Sequence, residues 1–249
     1  LHKAIRRQRQ MCIRDRIKVM TGIRRSGKSV MLELIKEELA EAGVAPSQMI
    51  SINFEDMRYS HLQTATALHD EIIKRAEGIE GKAYLFFDEI QEVEGWEKCV
   101  NSLRVALDCD IYITGSNAKL LSGELATYIG GRYVEFVIYP FSFAEFLELY
   151  HTIAPSDSIQ QCFQKYLLAG GMPYLANLRY EEEPSRQYLT DLFNSVQLKD
   201  IVKRNKIRDI DLLERIIAYM TANVGTVFSA SSLAKFFKNE QRTVAAETI

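Results

Sequence analysis

Residues 17–34, "IKVMTGIRRSGKSVMLEL", restrict the possible folds more than any other part of the chain. Inside this stretch "GIRRSGKS", Gly22 to Ser29, fits the pattern G-x-x-x-x-G-K-[ST]. A short apolar run precedes it and a helix-period segment follows, which is the strand–loop–helix context the pattern requires. Glycines at its ends let backbone N–H groups turn inward around a polyphosphate, and a helix opening at Lys28 aims its positive end at the same place. The Lys28 ammonium supplies a point charge for the β- and γ-phosphates, and the Ser29 hydroxyl is a ligand for Mg²⁺. The expected phosphate-binding set is therefore Gly22, Ile23, Arg24, Arg25, Ser26, Gly27, Lys28 and Ser29, with Arg24 and Arg25 also readable as facing solvent or a partner.

A second element completes the chemistry. The run "AYLFFDEIQ" reads as a buried strand that ends in Asp88-Glu89. An aspartate there holds Mg²⁺, usually through water, and the glutamate after it orients or deprotonates an attacking water. Taken alone, an acidic strand exit is ordinary; paired with the upstream loop it points to phosphoryl transfer to water. The next run, "DIYIT", ends in "GSNAK", so Ser116 and Asn117 are expected beside Glu89, as sensors of the γ-phosphate or as helix caps. Arg132, in "IGGRYVEF", is expected on the same side of the sheet, to act in its own site, in a neighbouring subunit's site, or only as a surface residue. Glu55 and Asp56 follow another strand, where they meet a substrate or simply cap a loop.

Five short apolar runs alternate with helical patterns, as in a parallel sheet covered on both faces. The strands are expected at 17–21, 49–54, 83–87, 110–114 and 133–139, and the helices between them at 28–42, 62–76, 96–107 and 119–129. After Pro140 only helical patterns continue, at about 142–150, 157–169, 184–204, 209–223 and 230–238. A whole strand–helix unit lies between the phosphate loop and the Asp-Glu strand, the arrangement of the additional-strand class of P-loop ATPases. No [NT]KxD guanine-reading motif occurs, which favours ATP over GTP. A small-molecule kinase is disfavoured by the Asp-Glu pair.

Composition excludes other classes. Hydrophobic residues make up 47% and charged residues 26% of the 249, enough apolar material for a sizeable core. Cys12, Cys99, Cys109 and Cys162 form no CxxC pair, and His2, His61, His69 and His151 are scattered, so neither a zinc site nor a disulfide framework is expected. No apolar run reaches the roughly 18 residues of a membrane span, and no apolar segment of a signal peptide follows the basic start. A cytoplasmic protein without a membrane partner is the expectation.

The blocks "TGIRRSGKS", "INFED", "LFFDEIQ", "GSNAKLLSGELATY", "GRYVEF", "YPFSFAEFL" and "GGMPYL" together resemble the prokaryotic AAA-type ATPases whose ATPase domain precedes a C-terminal domain of unknown function. That resemblance covers about residues 17–249. It implies ATP and Mg²⁺ as cofactors, hydrolysis of ATP to ADP and phosphate, and coupling of nucleotide state to movement of a helical lid and C-terminal domain. A nucleotide-gated switch or DNA-binding regulator with little turnover is the alternative. The resemblance also implies kinship with the signal-transducing NTPase branch of AAA+ proteins, in which a Gly-x-Pro of the lid packs on the base, a pattern that Gly171 and Pro173 match; a helix-separating turn explains them equally well. If Arg132 acts in trans, the partner is a second copy of the chain in a homo-oligomer. The expected division is residues 17–150 as ATPase core, 151–207 as lid and 208–249 as the truncated start of a winged-helix module, with any DNA contact lying in a region beyond it.

Residues 6–16, "RRQRQMCIRDR", fit no family block. Their back-translation matches the transposase adapter used in sequencing libraries, so residues 1–16 are expected to be a translated adapter, with a nucleic-acid-binding arm as the alternative. Those sixteen residues carry six positive charges and one negative, which turns the net −2 of the chain into −7 for the remainder.

Overall fold

The structure is a computed structural model that describes residues 16–115, 130–196, 202, 207, 209–227 and 229–239. Five strands, β1 (Ile17–Thr21), β2 (Met49–Asn53), β3 (Ala83–Asp88), β4 (Cys109–Thr114) and β5 (Tyr133–Val137), form one sheet. Its order is β2-β3-β4-β1-β5 and every pairing is parallel. Parallel neighbours demand crossovers, and three helices supply those described: α1 (Lys28–Glu41), α2 (Ala65–Ala76) and α3 (Trp96–Ala106).

Strand alternation divides the core between two faces. Val19, Ile52, Leu85, Phe87, Ile111 and Ile113 point toward α2 and α3, where Leu68, Ile72, Val100 and Leu103 meet them with no exposure. The intervening positions, Met20 and Phe86, point the other way and pack on Met31, Leu32 and Ile35 of α1. Helix starts follow local chemistry: the Thr64 hydroxyl accepts from the Ala67 N–H, so α2 begins at Ala65 and leaves Leu62 as a buried anchor before it. The strands expected from sequence are all present, within two residues at either end, and the sheet confirms the five-stranded parallel α/β fold. The expected helix at 119–129 lies outside the described residues, as do residues 1–15 of the leader.

Contacts divide the chain into two compact units, residues 1–192 and 193–249. In the first unit, α4 (Phe143–Tyr150), α5 (Ile159–Ala169) and α6 (Glu182–Ser195, which runs across the division) follow the sheet. Phe143, Phe146, Tyr150, Tyr166 and Tyr180 form a ring cluster with centroids 5.0–6.3 Å apart. In the second unit α7 (Ile210–Ala222) and α8 (Ala230–Asn239) bury Leu212, Leu233 and Phe237 together. Among the described residues no helix is long and apolar enough to cross a membrane.

Candidate functional site

The carboxyl ends of β1, β3 and β4 lie side by side, where open parallel sheets bind ligands. The loop Gly22–Gly27 leaves β1 there. Gly22 has φ 144°, and a Cβ on it would stand 2.2 Å from the Ile138 carbonyl oxygen. Ile138 in turn donates its N–H to the Thr21 carbonyl at 2.7 Å, so the loop begins pressed against the chain that leaves β5. Arg25 takes a left-handed φ of 60° and its guanidinium lies over the Tyr188 ring of α6, 5.6 Å from the centroid.

Gly27 caps α1 with φ 102°; no side chain caps the helix, and its first turn holds no acid. A Cβ on Gly27 would meet nothing within 4 Å, so this face of the loop is open. Lys28, the first helical residue, is buried and donates to the Gly22 and Ile23 carbonyls at 3.2 and 3.0 Å. The Ser26 hydroxyl oxygen is buried with no hydrogen-bond partner. A cation at the positive end of a helix, uncapped N–H groups and an orphaned hydroxyl fit an oxyanion such as a polyphosphate. Ser29 follows, exposed.

At the end of β3, Asp88 is buried and both its carboxylate oxygens are held. Asn53 Nδ2 of β2 donates to Oδ2 at 3.2 Å, and the Thr114 hydroxyl of β4 donates to Oδ1. Glu89 adopts φ 55°, ψ 43°, its N–H donates to Thr114 Oγ1 at 3.1 Å, and its carboxylate accepts from Gln91 Nε2. Burial pushes the Glu89 carboxyl above its ordinary range. Donation from Gln91 and the charge of Lys28 pull it back, and the charges of Asp88 and Glu55 add to the rise. Lys28, Asp88, Glu55 and Glu89 therefore share one electrostatic neighbourhood.

A buried carboxylate at the end of β3 and the Ser29 hydroxyl at the start of α1 are the oxygen donors that Mg²⁺ takes, one or two from protein with water and substrate phosphate filling its shell. Among the described residues no cluster of three or more His, Cys, Asp or Glu could hold a metal by itself.

Other expected residues lie elsewhere. Arg132 stands just before β5, its carbonyl accepting from the Ile17 N–H at 2.9 Å and its Nη1 donating to Asn101 Oδ1 at 3.0 Å. The expectation that it shares the loop's side of the sheet is corrected: in a parallel sheet the residue before a strand lies at the opposite edge, about 16 Å away across five residues. It cannot reach its own chain's phosphate loop. Ser116 and Asn117 lie outside the described residues. Gly171 is pressed onto the backbone of Phe141, where a Cβ would come within 2.0 Å of the carbonyl oxygen, and its own carbonyl accepts from the Phe141 N–H at 2.7 Å. This approach by itself demands glycine, and Pro173 opens the 3₁₀ turn that follows. Asp56 caps the turn at Met57–Tyr59. Sequence reasoning missed Thr114, Asn53 and Gln91, each of them a polar residue at or just past a strand end.

Comparison with known proteins agrees with this geometry. The family profile described as "AAA domain" matches residues 14–147, and one described as a domain of unknown function matches residues 160–248. An uncharacterized protein of Haemophilus influenzae is 39% identical over 94% of this chain, and one of Methanocaldococcus jannaschii is 32% identical over 92%. The chain spans 58% and 52% of the lengths of these two relatives. Among solved structures, the Aeropyrum pernix ORC1 protein in complex with DNA superposes with TM-score 0.44 and 13% identity, covering 99% of this chain and 80% of that one, a likeness too slight to bear on activity. With more than half its length inside one family profile, and that half carrying both the phosphate loop and the Asp-Glu strand end, the chain belongs to the AAA-type P-loop ATPases.

Proposed function

We propose that this chain binds ATP with Mg²⁺ and hydrolyses it to ADP and phosphate at the carboxyl edge of the sheet. The observation that carries the reading is the pairing of two features: buried Lys28 at the uncapped start of α1, and Glu89 within reach of its charge. Lys28 and the loop N–H groups from Ile23 to Ser29 hold phosphate oxygens, and donors aimed at that point stabilise charge as it develops. Ser29 and Asp88 hold the metal, which when bound neutralises charge on the phosphates. Glu89 orients the attacking water and accepts its proton; a carboxyl raised by burial is the better base for that step. A change at the phosphates reaches the helical segment through two contacts, Arg25 on Tyr188 and the sequence of backbone approaches Gly22–Ile138 and Phe141–Gly171. This helical segment is read as the lid, and Gly171-Met172-Pro173 as its approach to the base. The pair α7–α8 is read as the first two helices of a winged-helix module.

Arg132, held at the far edge from its own loop, is read as serving a neighbouring copy. Phosphate release from Mg-ATP by the whole chain, with and without a chelator, tests the main reading. Lys28→Ala should lower ATP affinity by about 100-fold, the size of one buried charged hydrogen bond or two. A wild type that neither binds nor hydrolyses ATP sinks the proposal. The same assay over a range of protein concentrations tests Arg132: specific activity should rise with concentration, and Arg132→Ala should flatten the rise.

A further inference from the structure

We propose that Thr114 is a positioning residue that sets both acids of the site at once; this rests on the ATPase reading of Asp88 and Glu89. Thr114 ends β4 and has no exposed surface. The register of β3 and β4 pairs Phe87 with Ile113, so the next step sets Asp88 beside Thr114. A hydroxyl has one proton and two lone pairs. Here the proton goes to Asp88 Oδ1 and a lone pair accepts from the Glu89 N–H at 3.1 Å. One side chain thus binds the side chain of the first acid and the backbone of the second.

The second bond has a particular consequence. Glu89 sits at φ 55°, ψ 43°, a left-handed conformation that costs a residue with a Cβ about 1–2 kcal/mol and persists only where surroundings impose it. The N–H bond to Thr114 is such a restraint, and it fixes the direction in which the Glu89 side chain leaves the strand. Asn53 holds the other oxygen of Asp88 at 3.2 Å but makes no such bond to Glu89. The phosphate loop has its own contacts at Ile138 and Tyr188, and the Thr114 hydroxyl is spent on Asp88 and Glu89. Loss of the hydroxyl should therefore impair hydrolysis and metal use while sparing nucleotide binding.

The experiment compares the whole chain with Thr114→Val, which keeps shape and loses the hydroxyl, and Thr114→Ser, which keeps the hydroxyl. For Thr114→Val, ATP affinity measured without Mg²⁺ should equal that of the wild type. Its kcat should fall about 10- to 100-fold, the usual effect of removing a group that orients a ligand, and the Mg²⁺ needed for half-maximal activity should rise. Thr114→Ser should recover kcat to within about threefold of the wild type. Unchanged kcat and Mg²⁺ dependence in Thr114→Val overturn the proposal, and so does a Thr114→Ser variant as impaired as Thr114→Val, since that outcome assigns the role to the methyl group. If melting shows Thr114→Val unfolded, Thr114→Ala replaces it: Ser active with Ala inactive supports the proposal, and equal activity overturns it. An indifferent Thr114→Val beside an active wild type removes Thr114 alone. A wild type unable to hydrolyse ATP removes the ATPase reading and the role of Thr114 with it.

Discussion

At the end of β3 the protein itself satisfies the acids: Asp88 is held by Asn53 and Thr114, and Glu89 by Thr114 and Gln91. At the end of β1 the protein leaves polar groups over. The Ser26 hydroxyl is buried without a partner and α1 has no side-chain cap. The two regions face the same edge of one sheet, so the difference is not one of burial. It follows from their tasks. Groups that act on a developing charge work best when already fixed, because reorganising them during reaction costs rate. Groups that bind a polyanion must keep N–H and O–H donors for it, and such donors stay unsatisfied inside the protein alone.

The sharpest way to break that contrast is at Glu89. Glu89→Gln keeps the shape and the bond to Thr114 but removes the base, so kcat should fall by about 10²–10⁴ with ATP affinity unchanged. Steady-state phosphate release beside equilibrium binding decides it. Intact turnover in this variant would show that the fixed acid is structural, and that the division between a finished end and an open one has no catalytic meaning.

Gly22 and Gly27 bracket the loop and sharpen the contrast from the other side. Alanine at 22 meets the Ile138 oxygen at 2.2 Å on a backbone at φ 144°, whereas alanine at 27 at φ 102° meets nothing within 4 Å. Gly22→Ala should cost about 3 kcal/mol of stability from overpacking plus backbone strain, and Gly27→Ala about 1 kcal/mol from strain alone. Both should weaken ATP binding, the second because its methyl occupies the open face of the loop. Urea unfolding midpoints measure the first pair of values; equal losses would show that the loop is not anchored at Ile138.

How far these contrasts were legible beforehand differs by element. β1, β3 and β4 were readable because buried parallel strands are continuous apolar runs, and the loop because its glycines, lysine and serine stand at fixed offsets in one segment. Thr114 and Asn53 were not, because their meaning lies in which strands are neighbours: Asp88 has β2 on one side and β4 on the other, and a linear sequence does not state that order. Gly171 was legible as special but not for its observed reason, the backbone of Phe141. Arg132 was misplaced although the sequence held the clue. A residue directly before a strand parallel to β1 must sit at the edge where β1 begins, while the phosphate loop leaves from the edge where β1 ends.

The smallest expected effect is the most specific to the open end of the site. Ser26 has its hydroxyl buried without a partner, a state that costs about 1–3 kcal/mol in the ligand-free protein. Ser26→Ala removes the cost along with the group, so the free protein should become more stable by up to about 1 kcal/mol, since neighbouring atoms relax around the missing oxygen. If the hydroxyl donates to a phosphate oxygen, the same variant gives up one hydrogen bond in the complex, and ATP affinity should fall about fivefold. The two changes have opposite signs, and melting curves with and without Mg-ATP read both: a higher midpoint alone, and a smaller rise on adding nucleotide. A hydroxyl that serves the fold would lower the first midpoint and leave the rise intact, which would make Ser26 resemble Asp88 and dissolve the distinction between the two ends of the site.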